Sequence, residues 1–157
     1  MKAYQIREFG GVGSLERVDL PEPEPGHGEV AIRVHAASLN YRDLMIARGQ
    51  YSPHLPRPLV PLSDGAGVVE AVGPGVTRFR VGDRVWGSNQ GLLGRQGTFA
   101  EFACVGEQWL YPTPDGVADE QAAAVALVGI TAHLGLFVGA QLGPGAPVFV
   151  TGGTRGG

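Results

Sequence analysis

The stretch "PLSDGAGVVEAVGPGVTRFRVGDRVWG", residues 61 to 87, decides the fold. Two short apolar runs, "GAGVVEAVG" and "GDRVWG", are punctuated by the turn signals "GPG" and "VGD", so the chain here is read as short strands joined by tight turns. Strands this short, with this much turn chemistry, predict a mostly β fold built as a partly open barrel. The composition agrees: 26 Gly and 12 Pro among 157 residues are too many for a helix bundle. The length is ordinary for one domain and sufficient to bury a core without disulfides or metals.

Upstream, "GEVAIRVHAAS" (28 to 38) alternates, with Val30, Ile32, Val34 and Ala36 on one face and Arg33 and His35 on the other, which predicts a half-buried strand. "NYRDLMIARG" follows, with Asn40 as a helix cap, helix formers over 41 to 48 and Gly49 as the stop. The loop "YSPHLPRPLVPL" has four prolines, which favour extended backbone, and is expected to line a surface cleft. Downstream, "GTFAEFACV" (97 to 105) is a further alternating strand.

Near residue 120 the alternation gives way to continuous apolar runs, so the expected domains are 1–120 and 121–157. The segment "AAAVALVGITAHLGLFVGA" (122 to 140) carries no formal charge over nearly the length of a membrane span. Its Ala and Gly content, the interruptions at Gly129 and Thr131, His133 in mid-span and the lack of flanking Lys or Arg favour two short core helices instead. Asp119 would cap one over 120–128 and Thr131 another over 132–140, after which "GPGAP" leads into a strand at 148–151.

A formal charge of -3, with Lys and Arg scattered singly, gives no basic stripe for a nucleic-acid partner. Cys104 is the only cysteine, and His27, His35, His54 and His133 lack the close spacing of metal ligands. A reducing, cytoplasmic setting is expected. "MKAYQIREFGG" has no apolar run after its lysine and is not expected to be a signal peptide.

Four stretches, "SLNYRDLMIARGQY", "PLSDGAGVVEAVGPGVTRFRVGDRVWG", "GTFAEF" and "GITAHLGLF", in this order and spacing, resemble the catalytic half of the medium-chain dehydrogenase/reductase superfamily. The closest resemblance is to its zinc-independent quinone oxidoreductase (zeta-crystallin-like) branch. It implies a GroES-like partly open barrel with short helices, then linking helices and the first strand of an incomplete α/β Rossmann domain. The end of the chain, "VFVTGGTRGG", would be that strand and the start of a glycine fingerprint. There Gly152, Gly153 and Thr154 would approach a cofactor pyrophosphate. Similar proteins read G-G-T-G-G-V-G, so Arg155 is either a substitution or an insertion.

The resemblance implies a full-length parent that uses NADPH, with NADH the alternative, to reduce quinones or α,β-unsaturated carbonyls by hydride transfer. It implies a small-molecule substrate, no membrane partner and a homo-oligomer in that parent. The alternatives are an enoyl-thioester reductase and a non-catalytic GroES-like module or inactive truncation product; the 157-residue chain alone is expected to be inactive. Zinc-dependent members place a Cys just after the first long strand and a His-Glu pair before the glycine turn. Here those regions read "SLNYRD" and "LSDGAG", and "GSNQGLLGRQG" replaces the structural-zinc lobe, so no zinc is expected.

Without a Lewis acid, hydride transfer needs hydrogen-bond donors for the developing negative charge. By resemblance, Asn40 approaches the nicotinamide ribose, Tyr51 lines the nicotinamide pocket and assists catalysis, and Thr131 lies beside the nicotinamide ring. Each also has a structural reading: Asn40 and Thr131 as helix caps, Tyr51 as a cleft wall. Asp43 is expected to pair with Arg42 or Arg48 and Asp64 to stabilise a turn. Cys104 is read as core, His35 as solvent-facing, and Trp86 and Trp109 as barrel or cleft aromatics.

Overall fold

Alternation in the sequence becomes pairing in the computed structural model, which describes residues 1–52 and 54–151. Strands β1 (Lys2–Ile6) and β2 (Leu15–Asp19) form an antiparallel hairpin. A second, five-stranded sheet is built from β3 (Glu29–Ser38), β4 (Asp64–Val72), β5 (Arg84–Gly87), β6 (Phe102–Gly106) and β7 (Leu110–Pro112). Its order is β6-β3-β4-β5-β7 and every pairing is antiparallel. Among the described residues both sheets are open, and no barrel closes. Single bridges from Ala3 to Ala100 and from Ile6 to Leu59 join the hairpin to the loops around the larger sheet.

The β3 alternation holds: Val30 and Ile32 are buried while Arg33 and His35 are exposed. Val30, Ile32, Val69, Val85, Ala103, Val105 and Leu110 form the main core, with Trp109 and Phe79 packed against it. The strand expected over 97–105 is shorter; β6 starts at Phe102, and the preceding residues turn toward the hairpin instead. The Pro-rich loop does more than line a cleft, since Leu55 and Leu59 join Ile6, Ile46, Ala47 and Leu92 in a second core. That core seats α1 (Tyr41–Ala47), which ends as expected at Gly49, whose φ of 70° lies in the left-handed region that favours glycine.

Four expectations for the C-terminal part are corrected. One helix, α2 (Asp119–His133), replaces the two expected, and it continues as a π-helical turn over Leu134–Gly139. Thr131 does not cap a new helix because its hydroxyl donates back to the Leu127 carbonyl at 2.9 Å, inside the same helix. Asp119 does not cap either. It is drawn sideways to the sheet, where it accepts from His35 Nδ1 at 2.7 Å and Arg84 Nη2 at 2.5 Å. His35, expected to face only solvent, is thus one of the ties that seat the helix.

The helix is core on one side only. Ala122, Ala123 and Ala126 are buried, and two of them pack on Ala66 of β4, small side chains allowing a close approach. Beyond them Val128, Leu134, Phe137 and Val138 are exposed, and Asp119–Gly139 is long and apolar enough to cross a membrane by length and composition. The strand expected at 148–151 is not formed. Val148, Phe149 and Val150 are exposed, and no strand among the described residues lies beside them to complete a ladder.

Candidate functional site

The segments "SLNYRD" and "LSDGAG" meet in this fold. Asn40 follows β3 and opens α1; Asp64 opens β4, which pairs with β3 through Ser38–Asp64. Asn40 holds the cap position in an unexpected way. Its backbone N–H donates to Asp43 Oδ2 at 2.8 Å, and its backbone carbonyl accepts the Asp43 N–H at 2.9 Å. The main chain thus serves the first turn, and Asn40 Nδ2 donates to Asp64 Oδ2 at 3.0 Å.

Asp64 is wholly buried and is no mere turn residue. Oδ1 accepts the Ser88 hydroxyl at 2.6 Å, Oδ2 accepts the Leu127 backbone N–H at 3.0 Å as well as Asn40, and its main-chain carbonyl accepts Thr98 Oγ1 at 2.7 Å. One side chain therefore gathers the β3–α1 junction, the end of β5 and the middle of α2. Thr131, one helical turn beyond Leu127, reaches the same array through the Leu127 carbonyl.

Asp43 departs from its expected pairing: it forms no ion pair among the described residues, and its Oδ1 is buried without a partner. Burial pushes its carboxyl above the ordinary 3.8, against the hydrogen bond from Asn40. Asp119 shows the opposite balance. Burial raises its carboxyl, but the hydrogen bonds from His35 and Arg84 outweigh that and hold it below the ordinary range.

Tyr51 stands apart from this array. It is 45% exposed, lies past the far end of α1, and its ring faces the Arg42 guanidinium at 6.0 Å. Its hydroxyl makes no hydrogen bond to the described residues. Gly152, Gly153 and Thr154 lie outside the described residues. Among the described residues, no group of three or more His, Cys, Asp or Glu side chains is placed to hold a metal. Cys104 is half-buried on β6, and burial, with Glu29 nearby, pushes its thiol up to about 11, which leaves it a poor nucleophile.

Beside Asn40 an apolar groove of about 470 Å³ is lined by Ile6, Leu39, Leu62 and Phe99, with Asn40 and Asp43 contributing to its wall. Asn40 was visible in the sequence as a cap and by resemblance. Asp64 was read only as a turn residue, and Ser88 and the Leu127 amide were not singled out, because Asp64 meets partners 24 to 63 residues away in the chain.

Residues 26–115 match the alcohol dehydrogenase GroES-like domain. The chain is 35% identical over 150 residues to the human synaptic vesicle membrane protein VAT-1 homolog-like, covering 96% of this chain and 35% of that protein. It is 36% identical over 157 residues to the rat quinone oxidoreductase, covering 99% and 46%. Among solved structures, an NAD-dependent alcohol dehydrogenase superposes with a TM-score of 0.86 at 38% identity, over 92% of this chain and 49% of that one. The Escherichia coli quinone oxidoreductase in complex with NADPH gives 0.79 at 27% identity, over 85% and 40%. Fold and site together define a GroES-like domain of the medium-chain dehydrogenase/reductase superfamily. The chain belongs to that superfamily's zinc-independent quinone oxidoreductase branch, and it spans less than half the length of these curated relatives.

Proposed function

We propose that this chain is the substrate-side part of an NAD(P)H-dependent oxidoreductase that reduces quinones or α,β-unsaturated carbonyls by hydride transfer, in a reducing cytoplasmic setting. The observation that carries the reading is the Asn40–Asp64–Leu127 array beside an apolar groove. An apolar cleft with a few fixed polar groups suits a flat, apolar electrophile.

The residues fit the sugar and nicotinamide end of such a cofactor. Asn40 has a carbonyl oxygen to accept a ribose hydroxyl once its NH2 group is held by Asp64. Thr131 is exposed and retains oxygen lone pairs after donating to Leu127. The bound nicotinamide supplies the hydride; this chain's residues orient the ring, exclude water along the groove and stabilise the charge that develops on the substrate oxygen. Tyr51, whose hydroxyl has no partner among the described residues, is the candidate for that last task by resemblance, although it lies outside the lining of this groove.

The test is a chimera in which this chain replaces the matching N-terminal part of the rat quinone oxidoreductase. It is expected to oxidise NADPH with a simple quinone, and Tyr51→Phe is expected to lower kcat by about ten- to a thousand-fold with little change in KM. A chimera that folds and binds NADPH yet reduces neither a quinone nor an enone would overturn the reading. Turnover of an enoyl thioester alone would move the assignment to the enoyl-thioester reductases.

A further inference from the structure

Asp64 holds a buried carboxylate without an ion pair among the described residues. An isolated buried charge is costly unless hydrogen bonds satisfy it. Three neutral donors from three different elements do so: Asn40 Nδ2, Ser88 Oγ and the Leu127 N–H. Two of them share one oxygen, Oδ2, and those two belong to the junction that carries Asn40 and the helix that carries Thr131.

This sharing fixes an orientation as well as a position. A carboxylate has no hydrogen to give, so the end of the Asn40 side chain that faces it must be the NH2 group. Turning that amide over would set two oxygens against each other at 3.0 Å. The Asn40 side chain makes no capping hydrogen bond to the first turn, and the Asn40 main-chain carbonyl takes the Asp43 N–H.

We propose that Asp64 is a positioning residue: its Oδ2 clamps the Asn40 NH2 group to the Leu127 amide, so that Asn40 offers a ligand its carbonyl oxygen and Thr131 is held at a fixed spacing from it. The ligand group that this arrangement takes is a hydroxyl donor, such as a sugar hydroxyl. That last clause rests on the oxidoreductase reading; the clamp itself does not.

Amide exchange and side-chain NH2 resonances of the 157-residue chain test it without cofactor or turnover. In the wild type, one Asn40 Nδ2 proton and the Leu127 N–H are both expected to be protected. Asp64→Asn, of nearly the same shape, should accelerate exchange at both by at least about ten-fold while the neighbouring Ala126 amide keeps its protection. Ser88→Ala, which removes a donor from the other oxygen, should leave both protected. Unchanged exchange at Asn40 and Leu127 in Asp64→Asn overturns the proposal, as does uniform acceleration throughout the chain in both variants, which is what a merely structural role produces. Should Asp64→Asn fail to fold, Asn40→Ala carries the test: the Leu127 amide resonance must shift although residue 40 lies on another element, and an unmoved resonance overturns the clamp. An inactive chimera with the clamp intact would defeat only the assigned chemistry; an active chimera without it would defeat only the clamp.

Discussion

Gly67 shows how narrowly one residue of the central strand is constrained. A Cβ added there would lie 1.9 Å from the Arg33 carbonyl oxygen, because β3 shifts register between Val34 and Ala36 and pushes its backbone toward β4. Gly67→Ala is therefore expected to destabilise the fold by about 3 kcal/mol or to prevent folding. Gly13→Ala, where nothing lies within 4 Å, should change stability by less than about 0.5 kcal/mol. Urea denaturation of the two variants checks the contrast. The sequence marks "GAG" as part of a strand, and the family resemblance marks Asn40 and Tyr51 as site candidates. It does not disclose the Arg33 carbonyl or the Asp64 partners, because each depends on which distant segment the register brings alongside.

At the scale of elements, α2 is attached at its first turn and at its middle. The first attachment is the Asp119 carboxylate between His35 and Arg84, with Arg84 Nη2 also donating to the Val117 carbonyl at 2.7 Å. Because the folded-state carboxyl lies below its ordinary 3.8, this contribution is fully present above that value and is lost as the pH falls through the lower folded value. Asp43 works the other way: its raised carboxyl favours the folded state in acid, and that contribution is lost as the pH rises. Amide exchange should resolve the two. Below about pH 4 the first turn of α2 is expected to lose protection before α1 does, and Asp119→Asn should remove that pH dependence. Equal protection of both helices down to about pH 2 would show that the Asp119 contacts do not hold α2. Sequence patterning found an apolar segment here, but apolar residues all round a helix carry no face, so it could not tell one long helix from two short ones. The strand expected at 148–151 failed for a related reason: alternation and β-branching mark what could pair, and a ladder also requires a neighbour.

Across the whole molecule, burial is uneven. The sheet cores are closed, with Val30, Val85 and Leu110 fully buried, whereas Leu134, Phe137 and Val138 beyond the middle of α2 and Phe149 near the end are exposed. Exposed apolar surface of this kind attracts apolar partners. The 157-residue chain is expected to bind an apolar fluorescent dye, and Val128→Lys with Phe137→Lys should cut that signal at least about two-fold without lowering the melting temperature. A dye signal unchanged in the double variant would place the exposed surface elsewhere. The mostly β character was legible because short strands and their turns are local signals; that it is GroES-like came from the family resemblance. How far α2 is covered was not, since that depends on everything packed around it.

The hairpin that opens the chain is fastened late. The Ile6 N–H and carbonyl pair with Leu59 at 2.8 and 3.0 Å, the Tyr4 N–H donates to Phe99 at 2.9 Å, and Glu101 donates to Lys2 at 3.0 Å. A lone two-stranded hairpin is at best marginally stable in water. During synthesis at about 5–20 residues per second, the first strand waits about 5–20 s for its last partners to leave the ribosome. For that interval Lys2 and Tyr4 lie on an unfinished edge, so a strand made before the larger sheet is protected only after it.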